Sequence, residues 1–541
     1  MASNKSRWCL ALAVVVALVL CLGAPGVDSA RILVVIAMPA PSHLIVFTAL
    51  TRALADRGHQ ITLVCPSPKT DKLLPTHNHH IVSVQNSTVM DFKLKSVKKF
   101  MTGDKQDLIS SMISFFNWGP QLVRATLLHP NFKAEVDTPN QKFDLVITEA
   151  FFIQEAMIAL GHKFNAPVIA LNPFGASPQI NQFMGNSINP AWVPNLFLGF
   201  GGHLTFSERV INTVASTGMD LVYKFLQFPQ QQALVSELFP SAPPLTDLLR
   251  NQLALVLVNN HHSLSFPVPM SPGVVEVGGM HITKKPKPLP KDLKDLMDGA
   301  KDGVVYFSMG SNLAMEYMPK QKTEAIFGAL GSIKQRVLLK WDGPVPDTGV
   351  PSNIHIIKWA PQSDVLAHPN LRVFVTHGGL LSTQEAVYHG VPLVGIPVFA
   401  DQDFNMRLAT RKGFCEQVDF ATLTQEGLSS ALQKVLGSPS YKEAASLLSR
   451  LFRSKPTEPA DLAVFWVEHV LEHGGAHLRP SNVDLSLYQL LLVDVILALL
   501  VPLVLAILIL RAIFRWCCCR SKKGSSASGQ PSKAAKAKKT N

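Results

Sequence analysis

The sequence predicts an α/β protein made of two doubly wound, Rossmann-like domains facing a cleft, with a transmembrane helix near the C terminus. Three observations predict it. Short apolar runs bounded by turn residues alternate with helical patterns twice along the chain, as a parallel sheet covered by helices requires. A stretch rich in Pro and Lys between Pro267 and Pro290 separates the two series. Finally, Leu490–Leu510 is apolar apart from Asp494, and long enough to cross a hydrocarbon core of about 30 Å.

In the first series, Ile32–Ala37 reads as a buried strand, His43 to Asp56 as a helix closed by Arg57-Gly58-His59, and Ile61–Cys65 as a second strand. Leu145–Thr148, Val168–Leu171 and Leu253–Val258 follow as further strands. Pro267, Pro269, Pro272, Pro286, Pro288 and Pro290 mark the connector. The second series has strands at Val304–Phe307, Arg336–Lys340, Ile354–Ile357, Arg372–Val375 and Leu393–Ile396. Helices are expected near Lys320–Ile333, over Leu381–His389 and after Asp401. No short repeat is visible, which excludes a solenoid.

The 541 residues carry a formal charge of +12, a hydrophobic fraction of 47% and 7 cysteines. That composition excludes an intrinsically disordered chain and a disulfide-stapled scaffold. Nine of the positive charges lie beyond Leu510, and the first 29 residues add a net +1, leaving +2 for the body. The basic balance therefore reports a tail and gives no reason to expect nucleic acid. Lys5 and Arg7, the apolar run Cys9–Gly23 and the small residues up to Ser29 follow the order of a signal peptide, residues 1–29, with an uncleaved anchor as the alternative. By the positive-inside rule the 511–541 tail is cytosolic and the body lumenal or extracellular, a single-pass type I arrangement. Cys517, Cys518 and Cys519 stand where S-acylation is plausible. The terminal Lys538-Lys539-Thr540-Asn541 resembles the dilysine signal for return to the endoplasmic reticulum. Asn86-Ser87-Thr88 is a glycosylation sequon. A Cys65–Cys415 disulfide is not favoured, because the two belong to different domains.

The chemistry concentrates in Phe374–Glu385. A strand ends at Thr376, Gly378 and Gly379 make a turn, and a helix begins. Exposed amides and the helix dipole there favour a phosphate. His377 can add a ring N–H to a diphosphate, and Glu385 can accept both hydroxyls of a ribose. A Gly-Gly turn alone is a weak signal; its company strengthens it. Trp359-Ala360-Pro361-Gln362 offers an aromatic plane after one strand, and Ser308-Met309-Gly310-Ser311 offers hydroxyls and amides after another. Asp401-Gln402 completes the set.

Together these residues resemble the UDP-glycosyltransferase family, enzymes of GT-B fold that move a sugar from UDP-sugar to small acceptors. The resemblance runs over nearly the whole chain, and the Leu-Leu-Ser-Thr-Gln-Glu variant is most similar to arthropod members. It implies an acceptor-binding domain over 30–283, a UDP-sugar-binding domain over 284–485 and a transmembrane helix at 490–510. It implies that Trp359 stacks on uracil and that Gln362 and Glu385 hold the ribose. Ser308, Gly310, Ser311, His377, Gly379 and Ser382 would surround the diphosphate, with Asp401 and Gln402 on the sugar hydroxyls. Leu381 stands where many members have Asn. The resemblance also implies that His43 is the catalytic base and that the acid of Phe143-Asp144-Leu-Val-Ile-Thr-Glu149 orients it, Glu149 replacing the usual Asp.

The implied reaction is inverting transfer of a hexose, glucose, to a hydroxyl of a small lipophilic acceptor. Glucuronic acid is the alternative sugar, and a non-catalytic nucleotide-sugar or lipophile-binding membrane protein the alternative class. UDP-sugar is a co-substrate, and no metal or other cofactor is expected. Asp401-Gln402-Asp403 fits an Asp-x-Asp metal motif but opens a helix beside the glycine turn, which favours sugar contact or capping. His77, His79 and His80 lack acidic or Cys partners at ligand spacing. Phe115, Phe116, Trp118, Phe151 and Phe152 suit an acceptor wall or simply core. The sequence leaves open whether the protein forms a homo-oligomer.

Overall fold

The structure is a computed structural model that describes residues 29–66, 77–102, 108–150, 154–175, 178–186, 189–195, 198–200 and 203–523. Residues 1–28 of the signal segment, Phe151, Phe152 and the dilysine terminus lie outside the described residues, as do the side chains of Phe115 and Phe116.

The chain divides into two compact units, residues 1–480 and 481–541. Among the described residues the first contains two all-parallel sheets. The first sheet runs β3-β2-β1-β4-β5-β6-β7, with β1 Arg31–Val35, β2 Gln60–Cys65, β3 His79–Ser83, β4 Leu145–Thr148, β5 Val168–Asn172, β6 Leu253–Val258 and β7 Val274–Glu276. The second runs β10-β9-β8-β11-β12-β13, with β8 Val304–Ser308, β9 Arg336–Lys340, β10 Ile354–Ile357, β11 Leu371–Thr376, β12 Leu393–Gly395 and β13 Cys415–Gln417.

Alternation along each central strand feeds two cores. Ile32, Val34 and Ile36 enter one apolar cluster, while Leu33 and Val35 enter the other. Val305 and Phe307 face one side of the second sheet, Val304 and Tyr306 the other. Strands buried on both faces read as continuous apolar runs, which is why β4, β5, β6 and β8 were foreseen within a residue.

Three strands were not foreseen, and all are sheet edges. β3 contains His79 and His80, β13 is only Cys415–Gln417, and β7 lies inside the stretch expected to be connector. An edge strand pairs on one side only and is half exposed, so its sequence need not be apolar throughout. His80 reaches Glu135 at 3.0 Å and the His79 ring bonds the His77 carbonyl at 3.1 Å. Cys65 and Cys415 are both buried and lie on different sheets.

The chain also returns to where it started. The Pro459–His473 helix, within the range expected for the second domain, sends Ala463, Val464, Val467 and Val470 into the first sheet's cluster beside Phe47, Leu50 and Leu54. Each buried valine stabilises the return by about 1.5–3 kcal/mol. Glu468 adds a bidentate pair with Arg57 at 2.9 and 3.0 Å. The helix lies with the first sheet because its apolar face is complementary to the Pro41–Asp56 helix.

The second unit, described by itself, holds the Leu487–Leu490 turn and the Val493–Lys523 helix. Leu492 at φ 53° separates them, so the helix begins at Val493 and not at the expected 490. It continues through Pro502. Val493–Cys518 is a candidate membrane span with no part buried in protein.

Candidate active site

The site begins where strands end. β11 stops at Thr376, Gly378 turns at φ 83°, and the Leu380–His389 helix follows. The Thr376 hydroxyl accepts from the Gly378 amide at 3.3 Å. After β8, buried Ser308 accepts from the Gly310 amide at 3.3 Å, so its hydroxyl shapes the turn, while Ser311 is exposed.

His377 is clamped between these two loops. A Cβ on Gly310 (φ 74°) would meet its Cε1 at 2.5 Å, and one on Gly379 would meet its Nε2 at 2.7 Å. Burial, then Lys340, pushes the imidazole down to about 4, so it is neutral at physiological pH. Lys340 itself donates to the Gly310 carbonyl at 2.7 Å.

Beside it, Gln362 Nε2 donates to Glu385 Oε2 at 2.6 Å and to Ser382 Oγ at 3.0 Å. Burial pushes Glu385 up to about 7. Its other oxygen faces His281 Nε2 at 4.0 Å, and burial pushes that imidazole down to about 4, opposed in part by a hydrogen bond with the Leu381 backbone. Trp359, by contrast, is 71% exposed at the start of this loop. A large aromatic so open to solvent is a ready stacking surface.

Asp401 and Gln402 open the Gln402–Arg411 helix after Ala400, which is held at φ 59°. Gln402 Oε1 accepts from the Val398 and Phe399 amides at 2.9 and 3.1 Å, leaving its NH₂ for other partners. The Asp401 carboxyl does not cap the helix. It accepts from Asn405 Nδ2 at 2.6 Å, and the same amide nitrogen reaches the Gly378 carbonyl at 3.0 Å. Burial pushes Asp401 up to about 6, opposed in part by the Asn405 hydrogen bond, then by its own backbone and least by His43. Asp403 is engaged elsewhere, by Arg407 and Gln417 at 2.7 Å each. Among the described residues no group of three His, Cys, Asp or Glu could hold a metal.

On the first sheet, His43 sits in the first turn of the Pro41–Asp56 helix and Glu149 just beyond β4. Their side chains meet, His43 Nδ1 to Glu149 Oε2, at 2.9 Å, with both residues buried. Phe174 packs edge-on against the imidazole, ring centres 5.3 Å apart. The sheets are joined close by. Buried Gln384 donates to the Asn259 carbonyl at 3.1 Å, and Leu381 packs against the first sheet's cluster. A leucine at 381 is thus accounted for by burial against the first sheet.

Among the expected residues the structure joins His43 to Glu149 on the first sheet; on the second it joins Gln362 to Glu385 and Ser382, His377 to the Gly310 and Gly379 turns, and Asp401 through Asn405 to Gly378. Lys340, Asn405 and His281 belong to the same constellation and were not singled out from the sequence. Lys340 ends a foreseen strand; its spacing carried no motif. Asn405 lies one helical turn after Asp401, a position that could have suggested the contact.

A family model described as UDP-glucoronosyl and UDP-glucosyl transferase matches residues 30–526. The chain belongs to that family. Among its relatives, "UDP-glycosyltransferase UGT5" of Dactylopius coccus is 35% identical over 489 residues, covering 89% of this chain and 91% of the relative. Human "UDP-glucuronosyltransferase 2B7" is 31% identical, covering 88% and 91%. The fold of this UDP-glycosyltransferase is that of a UDP-glucose: anthocyanidin 3-O-glucosyltransferase solved in complex with UDP, with TM-score 0.53 and 18% identity over 82% of this chain and 99% of that one. CalG4, the calicheamicin glycosyltransferase, gives 0.55 and 17% over 82% and 99%. These are GT-B enzymes of two Rossmann-type halves, as the two parallel sheets require.

The glycine clamp makes the first prediction. Gly310→Ala adds left-handed strain of about 1–2 kcal/mol and pushes the His377 ring. The UDP affinity of this UDP-glycosyltransferase is expected to fall at least about tenfold with the fold intact. Calorimetric titration with UDP checks it, and an unchanged dissociation constant would show that the clamp does not serve the nucleotide.

Proposed function

We propose that this UDP-glycosyltransferase transfers glucose from UDP-glucose to a hydroxyl of a small lipophilic acceptor, with inversion. One observation carries the reading. On the first sheet the His43 imidazole meets the Glu149 carboxylate at 2.9 Å with both residues buried, the arrangement of an oriented general base. A proton acceptor on the first sheet would thus serve a sugar-type site on the second.

The steps follow from the residues. With Nδ1–H donated to Glu149, His43 presents a bare Nε2 lone pair. Nε2 takes the acceptor's hydroxyl proton as that oxygen attacks the anomeric carbon. The bond from that carbon to the β-phosphate oxygen breaks on the opposite face, and its electron pair leaves with UDP. Neutral His377, Lys340 and the amides opening the Leu380–His389 helix oppose the charge that develops on the diphosphate. Trp359 would stack on uracil, Glu385 and Gln362 hold the ribose, and Asp401 with the Gln402 NH₂ bind sugar hydroxyls. The cations and dipoles already present supply the neutralisation, so the reading needs no metal.

Glucose is favoured by hydroxyl-binding groups at 401 and 402 and by the Dactylopius coccus relative named "UDP-glucosyltransferase 2", 32% identical. The human relative's name favours glucuronic acid as the second reading. We further read residues 30–283 as acceptor-binding, 284–485 as donor-binding and the body as lumenal in the endoplasmic reticulum, anchored by the C-terminal span, with a cytosolic tail.

A donor screen with one promiscuous phenol acceptor tests this. UDP-glucose is expected to turn over at least about tenfold faster than UDP-glucuronic acid, a difference of about 1.4 kcal/mol in the barrier, and EDTA is expected to leave the rate unchanged. A preference for UDP-glucuronic acid would establish the second reading, and no UDP release with any donor would remove catalysis altogether.

A further inference from the structure

The Phe206–Val222 helix, extended by a π-helical turn at Tyr223–Gln227, is built inside out. Its polar Asn212 is wholly buried, donating from Nδ2 to the Pro190 and Val193 carbonyls at 2.7 and 2.9 Å and accepting from the Asn195 amide at 2.8 Å. Its apolar residues instead face water. Phe206 is 75% exposed, Val214 68% and Phe225 65%, with Val210 and Leu221 about half exposed. At 100° per residue Phe206, Val210, Val214 and Leu221 share an arc of about 80° on the side opposite Asn212, and Ile211, 50% exposed, and Leu226, 62% exposed, widen the apolar face. A helix whose outer face met only water would show the reverse pattern.

The charges along this stripe are selective. Arg209 lies 5.9 Å from the Phe206 ring centre and Lys224 5.8 Å from that of Phe225, so both cations border the apolar face. The acids are occupied otherwise. Glu208 closes the capping box with Thr205, and Asp220 accepts from Gln179 at 3.4 Å. On the inner side Tyr223 donates to buried Glu155 at 3.2 Å, which ties the segment to the first sheet's core. Trp192, in the loop held by Asn212, is 42% exposed.

We propose that this stripe is a membrane-surface helix that lies in the boundary between headgroups and acyl chains of an anionic bilayer. An apolar face bordered by cations and carrying aromatics has the chemistry of that layer. The proposal rests on reading Val493–Cys518 as a membrane span, since a chain so anchored has lipid as a permanent neighbour. It would hold the first domain against the phase into which lipophilic acceptors partition.

The test uses the full chain in phosphatidylcholine–phosphatidylserine vesicles, with Cys517, Cys518 and Cys519 changed to Ser and Val214→Cys carrying an environment-sensitive fluorophore. Lys334→Cys, labelled likewise, is the exposed control. The expected result is blue-shifted emission at 214, at least about halved by brominated lipid, with no change at 334. Water-like emission at 214, quenched by iodide, in protein that floats with the vesicles overturns the helix proposal while keeping the span. A disulfide between copies at position 214 makes a second copy the occupant and also overturns it. Protein that does not float at all refutes the span and the proposal with it.

Discussion

Replacing His43 with alanine is expected to lower turnover about 10³-fold while leaving UDP affinity unchanged. General-base catalysis by a positioned side chain is worth about 10²–10⁴-fold, and His43 is the buried imidazole held by the Glu149 carboxylate at 2.9 Å. The hole left at the Phe174 edge should admit exogenous imidazole, which is expected to restore part of the rate. Glu149→Gln is expected to fall nearly as far. An amide at this position can donate to Nδ1, which favours the tautomer carrying its proton on Nε2, where the acceptor's proton must go. Single-turnover measurement with UDP-sugar and a phenol, beside UDP titration, separates the chemical step from binding. Ordinary turnover in purified His43→Ala would remove the base from the proposal.

The second large effect is expected at Glu385. Its carboxylate accepting two ribose hydroxyls is worth about 1.5–3 kcal/mol per bond, so Glu385→Ala is expected to weaken UDP binding about 10²-fold or more. The variant should also no longer distinguish UDP from its 2′,3′-dideoxy analogue. The pH dependence has a definite sign. Burial raises the carboxyl to about 7 in the unliganded protein. Below that value it is neutral and accepts more weakly; above it, it is charged and accepts both hydroxyls. Affinity for UDP-glucose, whose diphosphate is ionised throughout, is therefore expected to be about tenfold weaker at pH 6 than at pH 8. The same shift costs the unliganded protein stability as pH rises from the unfolded value near 4.5 through 7, because only the unfolded chain ionises freely. Asp401, raised to about 6, adds a smaller change of the same sign at the lower end. A flat affinity profile between pH 6 and 8, or an undiminished preference for UDP over its dideoxy analogue in Glu385→Ala, would take the ribose role from Glu385.

What was legible in the sequence is local. The central strands are continuous apolar runs because both their faces are covered, and a run of that kind needs no distant information to be recognised. The strand–glycine–helix order from Phe374 to Glu385 is likewise written in consecutive residues, and so is the apolar run that becomes the Val493–Lys523 helix. The family resemblance attached expected roles to the residues of these segments, His43 and Glu149 among them, although 106 positions separate that pair.

What the tertiary structure alone decided depends on residues far apart in the chain. The edge strands β3, β7 and β13 exist because a neighbour supplies their hydrogen bonds, not because their own residues are strongly apolar. The Pro459–His473 helix lies on the first sheet because its valines fit the Pro41–Asp56 helix, a match between surfaces that periodicity does not encode. Within the cleft, folding alone set Lys340 against Gly310, His281 against Glu385, and Asn405 between Asp401 and Gly378. Those contacts decide which acids are raised, which imidazole is neutral, and how much of Gln402 is left for a ligand. Periodicity and motif order are properties of adjacent residues and survive in the sequence, whereas burial, and the charge states that follow from it, arise only when distant segments exclude water together.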